Sequence, residues 1–201
     1  MSYSQNNEEN VLLKYFGDFT GTLLDIGAND GKTFSNSLRL IELGWRAFLI
    51  EPSPTAFAKL EDLHYYNTDV DYLNCAIGSA SGEADYFDMG NHINKGDSSL
   101  LSTLVATEMT RWVGTKFTRS KVPVITWAEM CEKFQEDEFD FITIDVEGME
   151  MQILKQIDFT NVRCLCVEWN NKPTNKADFE SVIPSRFKLI HSNLENLIYA
   201  L

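Results

Sequence analysis

Thr22-Leu23-Leu24-Asp25-Ile26-Gly27-Ala28-Asn29-Asp30-Gly31 is the stretch on which the reading of this chain turns. A short apolar run, Thr22 to Ile26, is stopped by glycine, and helical spacing through Phe34, Leu38 and Ile41 follows over Thr33 to Leu43. The order is strand, glycine turn, helix. Glycines let the backbone turn tightly and approach a ligand, while the start of a helix offers unpaired amides. An ordinary strand-to-helix turn looks the same, so the motif needs company before it means anything.

The company comes from both sides. Arg46 to Ile50 reads as a second strand, Pro54 to Leu63 as a helix and Asp71 to Ile77 as a third strand. Trp127 to Phe134 (helix), Phe139 to Val146 (strand), Met149 to Ile157 (helix) and Cys164 to Trp169 (strand) resume the alternation. Such alternation predicts a mostly parallel sheet with helices on both faces. Phe187 to His191 and Leu197 to Leu201, joined by a polar turn, predict a closing antiparallel hairpin. Residues 1 to 10 read as a loose tail, followed by a short helix over Val11 to Phe16. The middle is irregular: Glu83 to Met89 extended, Gly90 to Ser99 a polar loop, Leu100 to Trp112 a helix. The expectation is one α/β domain over residues 11–201, Rossmann-like, with a seven-stranded sheet.

The bulk numbers agree with one folded domain: 201 residues, 44% hydrophobic, 12% aromatic. Thirty acidic against seventeen basic side chains give a net charge of −13, which repels a phosphate backbone or an anionic membrane surface. Neither nucleic acid nor membrane is therefore expected as a partner. Arg111, Lys116, Arg119 and Lys121, interleaved with Trp112 and Phe117, read first as a solvated hairpin or lid, with a contact to a phosphorylated or anionic acceptor as the alternative. Cys75, Cys131, Cys164 and Cys166 lack paired metal-ligand spacing; Cys164 and Cys166 share one strand face as small buried hydrophobes. No apolar run spans a bilayer and the first ten residues are polar and acidic, so the cytoplasm is the expected location.

The spacing of the glycine turn selects among ligands. A dinucleotide fold uses Gly-x-Gly-x-x-Gly around a pyrophosphate, whereas this turn is Asp-x-Gly-x-x-x-Gly. An acidic residue leading the turn suits a ligand with an ammonium and a sulfonium and no phosphate, which describes S-adenosylmethionine. Glu51 ends the second strand about twenty residues further on, where Rossmann-like folds hold ribose hydroxyls. Asn74, Cys75 and Ala76 end the third strand, at the expected adenine edge. Asp145 and Glu147 close the fourth strand beside Gly148, and Glu168 closes the fifth; carboxylates there face the ligand crevice. Glu150 is read as a helix N-terminal charge.

Taken in order, Asp25-Ile26-Gly27-Ala28-Asn29-Asp30-Gly31, Ile50-Glu51-Pro52, Asn74-Cys75-Ala76-Ile77-Gly78, Ser98-Ser99-Leu100, Ile144-Asp145-Val146-Glu147-Gly148-Met149-Glu150 and Glu168 resemble the FkbM-type methyltransferases. The resemblance implies a class I methyltransferase fold and methyl transfer from S-adenosylmethionine, usually to an oxygen of a sugar, polyketide or other small metabolite. It puts Asp25, Gly27, Asn29 and Gly31 on the cofactor, Glu51 on its ribose, and Asp145, Glu147 and Glu168 near the methyl or the acceptor. Thr126-Trp127 departs from the leucine and aspartate such sequences often carry before a helix.

On this reading Asp145 or Glu147 is the base that takes the hydroxyl proton, with Glu168 orienting the acceptor, and no metal is expected. Of the three histidines only His92 stands in the variable loop. The acceptor pocket falls to Asp88 through Val122, with Met109, Trp112 and Phe117 as candidate walls. Two competing readings use the same sheet: a nucleotide-dependent oxidoreductase, disfavoured by the missing pyrophosphate fingerprint, and a non-catalytic cofactor-binding module.

Overall fold

The computed structural model describes residues 2–91, 101–111 and 114–201. Seven strands make the main sheet. They are β1 (Thr22–Ile26), β2 (Arg46–Ile50), β3 (Val70–Leu73), β7 (Phe141–Ile144), β8 (Cys164–Glu168), β9 (Lys188–Ser192) and β10 (Asn196–Ala200), in the spatial order β3-β2-β1-β7-β8-β10-β9. The first five are mutually parallel, and β10 runs antiparallel between β8 and β9. The seven-stranded sheet and its antiparallel closing pair are as the sequence led us to expect.

Period-two alternation sorts each strand between two cores. Leu24, Ile26, Phe48, Ile50, Leu165, Val167, Leu197 and Tyr199 pack on one face, while Leu23, Ala47, Leu49, Cys164, Cys166, Ile198 and Ala200 pack on the other. Cys164 and Cys166 thus share a face as free thiols, 0% exposed. Burial on both sides is why these strands read as nearly unbroken apolar runs.

The helices are α1 (Glu8–Phe16), α2 (Leu38–Glu42), α3 (Pro54–His64), α4 (Trp127–Phe134), α5 (Glu150–Leu154) and α6 (Pro173–Val182). α3 starts with Ser53, whose Oγ accepts from Ala56 N–H at 3.3 Å, and with Pro54 in its first turn. α4 starts on a capping box: Thr126 Oγ1 accepts from Glu129 N–H while the Glu129 carboxylate accepts from Thr126 N–H. Thr126 therefore does the capping at the head of α4.

Four sequence expectations are corrected. Residues 1–10 are not a loose tail where described: Glu8 opens α1, is 0% exposed, and its Oε1 accepts from Asn193 Nδ2 (2.6 Å) and Asn196 Nδ2 (2.9 Å). Polar composition misled because the partners lie almost a chain length away. The helix after the glycine turn is only Leu38–Glu42, because Asp30 draws the Lys32 and Thr33 amides into a local turn and Phe34 sits at φ 57°. The strand expected over Asp71–Ile77 divides: Asn74 Nδ2 donates to the Glu51 and Pro52 carbonyls, and the chain leaves the main sheet there. Beyond the break, β4 (Ala76–Ile77) joins β5 (Gly82–Asn91) and β6 (Lys116–Ile125) in a second sheet, order β4-β6-β5. Finally, the helix expected over Leu100–Trp112 is represented, among the described residues, by one 3-10 turn at Glu108–Arg111.

The Arg111–Lys121 stretch largely forms β6, antiparallel to β5, and its basic side chains Arg119 and Lys121 pair with Asp85. His92, Ser98, Ser99, Leu100 and Trp112 lie outside the described residues. α6 was not anticipated, since only Phe179 of its ten residues is buried and the apolar period is weak.

Candidate active site at the strand ends

The carboxyl ends of β1, β2, β7 and β8 open into one cavity of about 270 Å³. Sheets of this type leave such a crevice where the crossovers diverge to opposite faces. Here β1 is that point, with β2 on one side and β7 on the other.

The turn after β1 is held mainly by backbone. Gly27 and Ala28 N–H both donate to Ile50 O (2.9 and 3.0 Å), and Gly31 N–H donates to Ala28 O (2.9 Å). Gly27 has φ 94°, and a Cβ there would lie 1.7 Å from Asp145 O, so glycine is demanded twice over. Asn29 also has positive φ (50°), and its Oδ1 is buried without a hydrogen-bond partner. Asp25 is buried below the turn and accepts from Ser37 Oγ at 2.6 Å; burial pushes its pKa up to about 6 against that hydrogen bond.

Glu51 is 4% exposed. It accepts from Asn29 N–H at 2.8 Å and from Ser53 N–H at 2.6 Å. Burial raises its pKa to about 8, the two amides pull it down, and Asp88 and Asp25 add to the rise. Glu51 thereby fastens the glycine turn to the start of α3 and is more than a helix cap.

The turn after β7 is built from side chains. Glu147 (φ 52°) and Gly148 (φ 114°) make the bend. The Glu150 carboxylate accepts from Val146 and Gly148 N–H (3.3 and 3.0 Å), and Thr103 Oγ1 donates to Glu147 O at 2.7 Å. Glu150 therefore braces its own loop from the first turn of α5. Its pKa is raised, chiefly by burial. Asp145 is exposed and lines the cavity; desolvation raises its pKa first, then Glu150 and Asp25. Asp145, Glu147 and Glu168 each present a carboxylate oxygen within 4.8 Å of the others. That spacing suits a divalent cation with oxygen ligands and equally an organic cation.

Of the residues singled out from sequence, Asp25, Gly27, Asn29, Glu51, Cys75, Ala76, Asp145, Glu147 and Glu168 line this one cavity. Gly31 and Asn74 do not. Gly31 closes its turn against α3, where a Cβ would touch Leu63 and His64, and Asn74 braces the Glu51 backbone. His64 and His191 are not among the lining residues. From the irregular middle come Tyr86, Met89, Leu101, Ser102 and Leu104, whereas Met109 and Phe117 stay out of the cavity.

Sequence reasoning missed the wall made by Gln5, Phe34, Asn36 and Glu195, which stands with Asn170. No local pattern could have flagged Gln5 in a polar N-terminal stretch. The lining contains six carboxylates, Asp25, Glu51, Asp145, Glu147, Glu168 and Glu195, and among the described residues no lysine, arginine or histidine. A pyrophosphate would find no cationic side chain among the described residues there. The acidic lining favours a positively charged ligand over an anionic one.

Residues 25–199 match the family model described as the methyltransferase FkbM domain. No curated protein matches the chain by sequence. Among solved structures, the chain is similar to methyltransferase FkbM from Methylobacillus flagellatus KT (TM-score 0.58, 14% identity, 90% of this chain and 44% of that one). It is also similar to WbdD (TM-score 0.53, 12% identity, 97% and 41%). A third likeness is to a ribosomal protein L11 methylase from Lactobacillus delbrueckii subsp. bulgaricus (TM-score 0.51, 9% identity, 96% and 76%). At these identities the likeness is one of fold, and the chain spans less than half the length of the first two structures. No helix among the described residues is long and apolar enough to cross a membrane.

Proposed function

The chain belongs to the FkbM methyltransferase family, and from that membership we propose that it transfers the methyl group of S-adenosylmethionine to a hydroxyl oxygen of a sugar or another small metabolite. The observation that carries this reading is the lining of the cavity, which holds six carboxyl groups and, among the described residues, no cationic side chain. S-adenosylmethionine supplies an electrophilic methyl on a sulfonium, carries an ammonium besides, and has no phosphate. Asn29 Oδ1, buried without a partner beside the glycine turn, is a further acceptor for a ligand donor. An oxidoreductase using a dinucleotide is disfavoured on the same grounds.

Each residue has a task on this reading. Asp25, Gly27 and Asn29 face the methionine part of the cofactor, Glu51 accepts from the ribose hydroxyls, and Cys75 and Ala76 flank the adenine. Gly31 and Asn74 act behind them by holding the turn and the Glu51 backbone. Asp145 or Glu147 takes the proton from the acceptor hydroxyl, and Glu168 orients that hydroxyl. The raised pKa of Asp145 makes its carboxylate a better proton acceptor near neutral pH than an ordinary aspartate. The partners are then a small-molecule or glycan acceptor rather than nucleic acid or membrane, and the setting is cytoplasmic.

Titration calorimetry on the purified protein with S-adenosylmethionine, S-adenosylhomocysteine and NAD tests the reading. Binding of the first two without NAD is expected. Binding of NAD, or of none of the three, overturns it.

A further inference from the structure

Phe34 is a large aromatic residue held at φ 57°, a left-handed backbone that bulky side chains rarely adopt. The residue is 46% exposed and lines the cavity. A residue with that geometry persists only where its surroundings dictate it, and here they do. Ser4 forms a parallel bridge to Phe34, and Ser4 Oγ in turn accepts from Glu9 N–H at the start of α1. On the other side, Ser35 Oγ accepts from the amides of Ser37 and Leu38 (3.2 and 3.0 Å). The fold thus fixes an apolar ring at the edge of an acid-lined cavity instead of burying it.

Topology says which end of the cavity this is. Glu51 and Cys75 lie at the ends of β2 and β3, on one side of β1. Asn170 follows β8 and Glu195 precedes β10, on the other side. Asn36 Nδ2 reaches Cys166 Sγ on β8 at 3.7 Å, so the 33–37 segment leans toward β8, away from the ribose carboxylate. The residues that line the cavity from this side offer an apolar plate, Phe34, the hydrogen-bond acceptors of Glu168 and Glu195, and the amides Gln5, Asn36 and Asn170. A ligand matching it has an apolar face, donors around its rim and no negative charge.

We infer that Phe34 is a specificity-determining residue: its ring is the surface against which a neutral, hydroxyl-bearing ring of the acceptor lies, and the N-terminal segment through Ser4 holds it there. This rests on the methyltransferase reading above and specifies its acceptor subsite. Acceptors carrying phosphate or carboxylate at that ring are rejected by the carboxylates.

Saturation-transfer difference NMR on protein loaded with S-adenosylhomocysteine tests it, using methyl α-mannopyranoside as neutral probe and mannose 6-phosphate as anionic probe. Phe34→Gly removes the ring and relieves the backbone, and Phe34→Tyr keeps the ring. Expected are saturation of the glycoside in the wild type, a drop of at least fivefold in Phe34→Gly, recovery in Phe34→Tyr and no saturation of the phosphate, with calorimetric affinity for S-adenosylhomocysteine within threefold throughout. No glycoside saturation in the wild type, equal signal in Phe34→Gly, or equal signal from the phosphate overturns the inference while leaving the methyltransferase reading standing. A tenfold loss of S-adenosylhomocysteine affinity in Phe34→Gly overturns it by assigning the ring to the cofactor. Failure of the wild type to bind S-adenosylhomocysteine sinks the parent reading and this one with it.

Discussion

The turns after β1 and β7 are both glycine-bearing bends at strand ends, yet they are held in different ways. The first hangs on the main chain of the neighbouring strand, through the two bonds to Ile50 O, with Glu51 tethering Asn29 from β2 and Asp30 holding the Lys32 and Thr33 amides. The second has one main-chain bond to its neighbouring strand, Asp145 N–H to Ile26 O, and otherwise hangs on side chains, the Glu150 carboxylate within the loop and Thr103 from the segment after β5. A turn held by backbone is as rigid as the sheet and tolerates change in its neighbours. One held by side chains can be retuned by single substitutions, which suits the side of the cavity proposed to meet the acceptor.

The contact between the two turns gives the harshest test. Gly27→Ala drives a Cβ into Asp145 O in a backbone that already disfavours alanine, and a loss of roughly 4 kcal/mol or more is expected, read as failure to fold or collapse of the urea midpoint. A stable Gly27→Ala protein would mean the turns are not locked together. Next in size, Glu150→Ala strips the acceptor from two amides, costing about 2–3 kcal/mol, and amide hydrogen exchange should quicken at Val146 and Gly148 but not at Gly27 or Ala28. Equal quickening in both turns would erase the distinction drawn here.

The smallest effect concerns Glu51, the titrating tether between the first turn and the start of α3. Glu51 has a folded pKa of about 8 against an ordinary 4.5, so its protonated form is the one the ligand-free fold favours. Its contribution is fully present below pH 4.5 and is lost as pH rises through 8. Between pH 6 and 8 the wild type should lose about 1–2 kcal/mol more stability than Glu51→Gln, measured by denaturant unfolding at each pH. Parallel pH profiles for the two proteins would show that the two amide donors, rather than burial, set the state of Glu51.

The same contrast explains what could be read from sequence. β1, β2 and α4 fall where their residues say, because a doubly buried strand and an amphipathic helix each carry their signal locally. The nine strand-end residues that share the cavity were legible because topology delivers strand ends to one edge. The break at Asn74 was not, because it depends on carbonyls of Glu51 and Pro52, more than twenty residues earlier. Nor was the three-stranded sheet, in which a two-residue strand pairs across some fifty residues, nor Gln5 and Phe34, whose places are set by the packing of α1. What was missed is whatever a distant partner decides.

Glu8 makes that dependence concrete in time. Its bonds to Asn193 and Asn196 close sequence separations of 185 and 188 residues, and contacts so far apart are slow to form because the intervening chain must first be gathered in. The parallel strands can assemble without them. Docking of α1, and with it the Ser4 bridge that steadies Phe34, then comes late in folding, so the strand-end floor of the cavity forms before the wall that Gln5 and Phe34 supply.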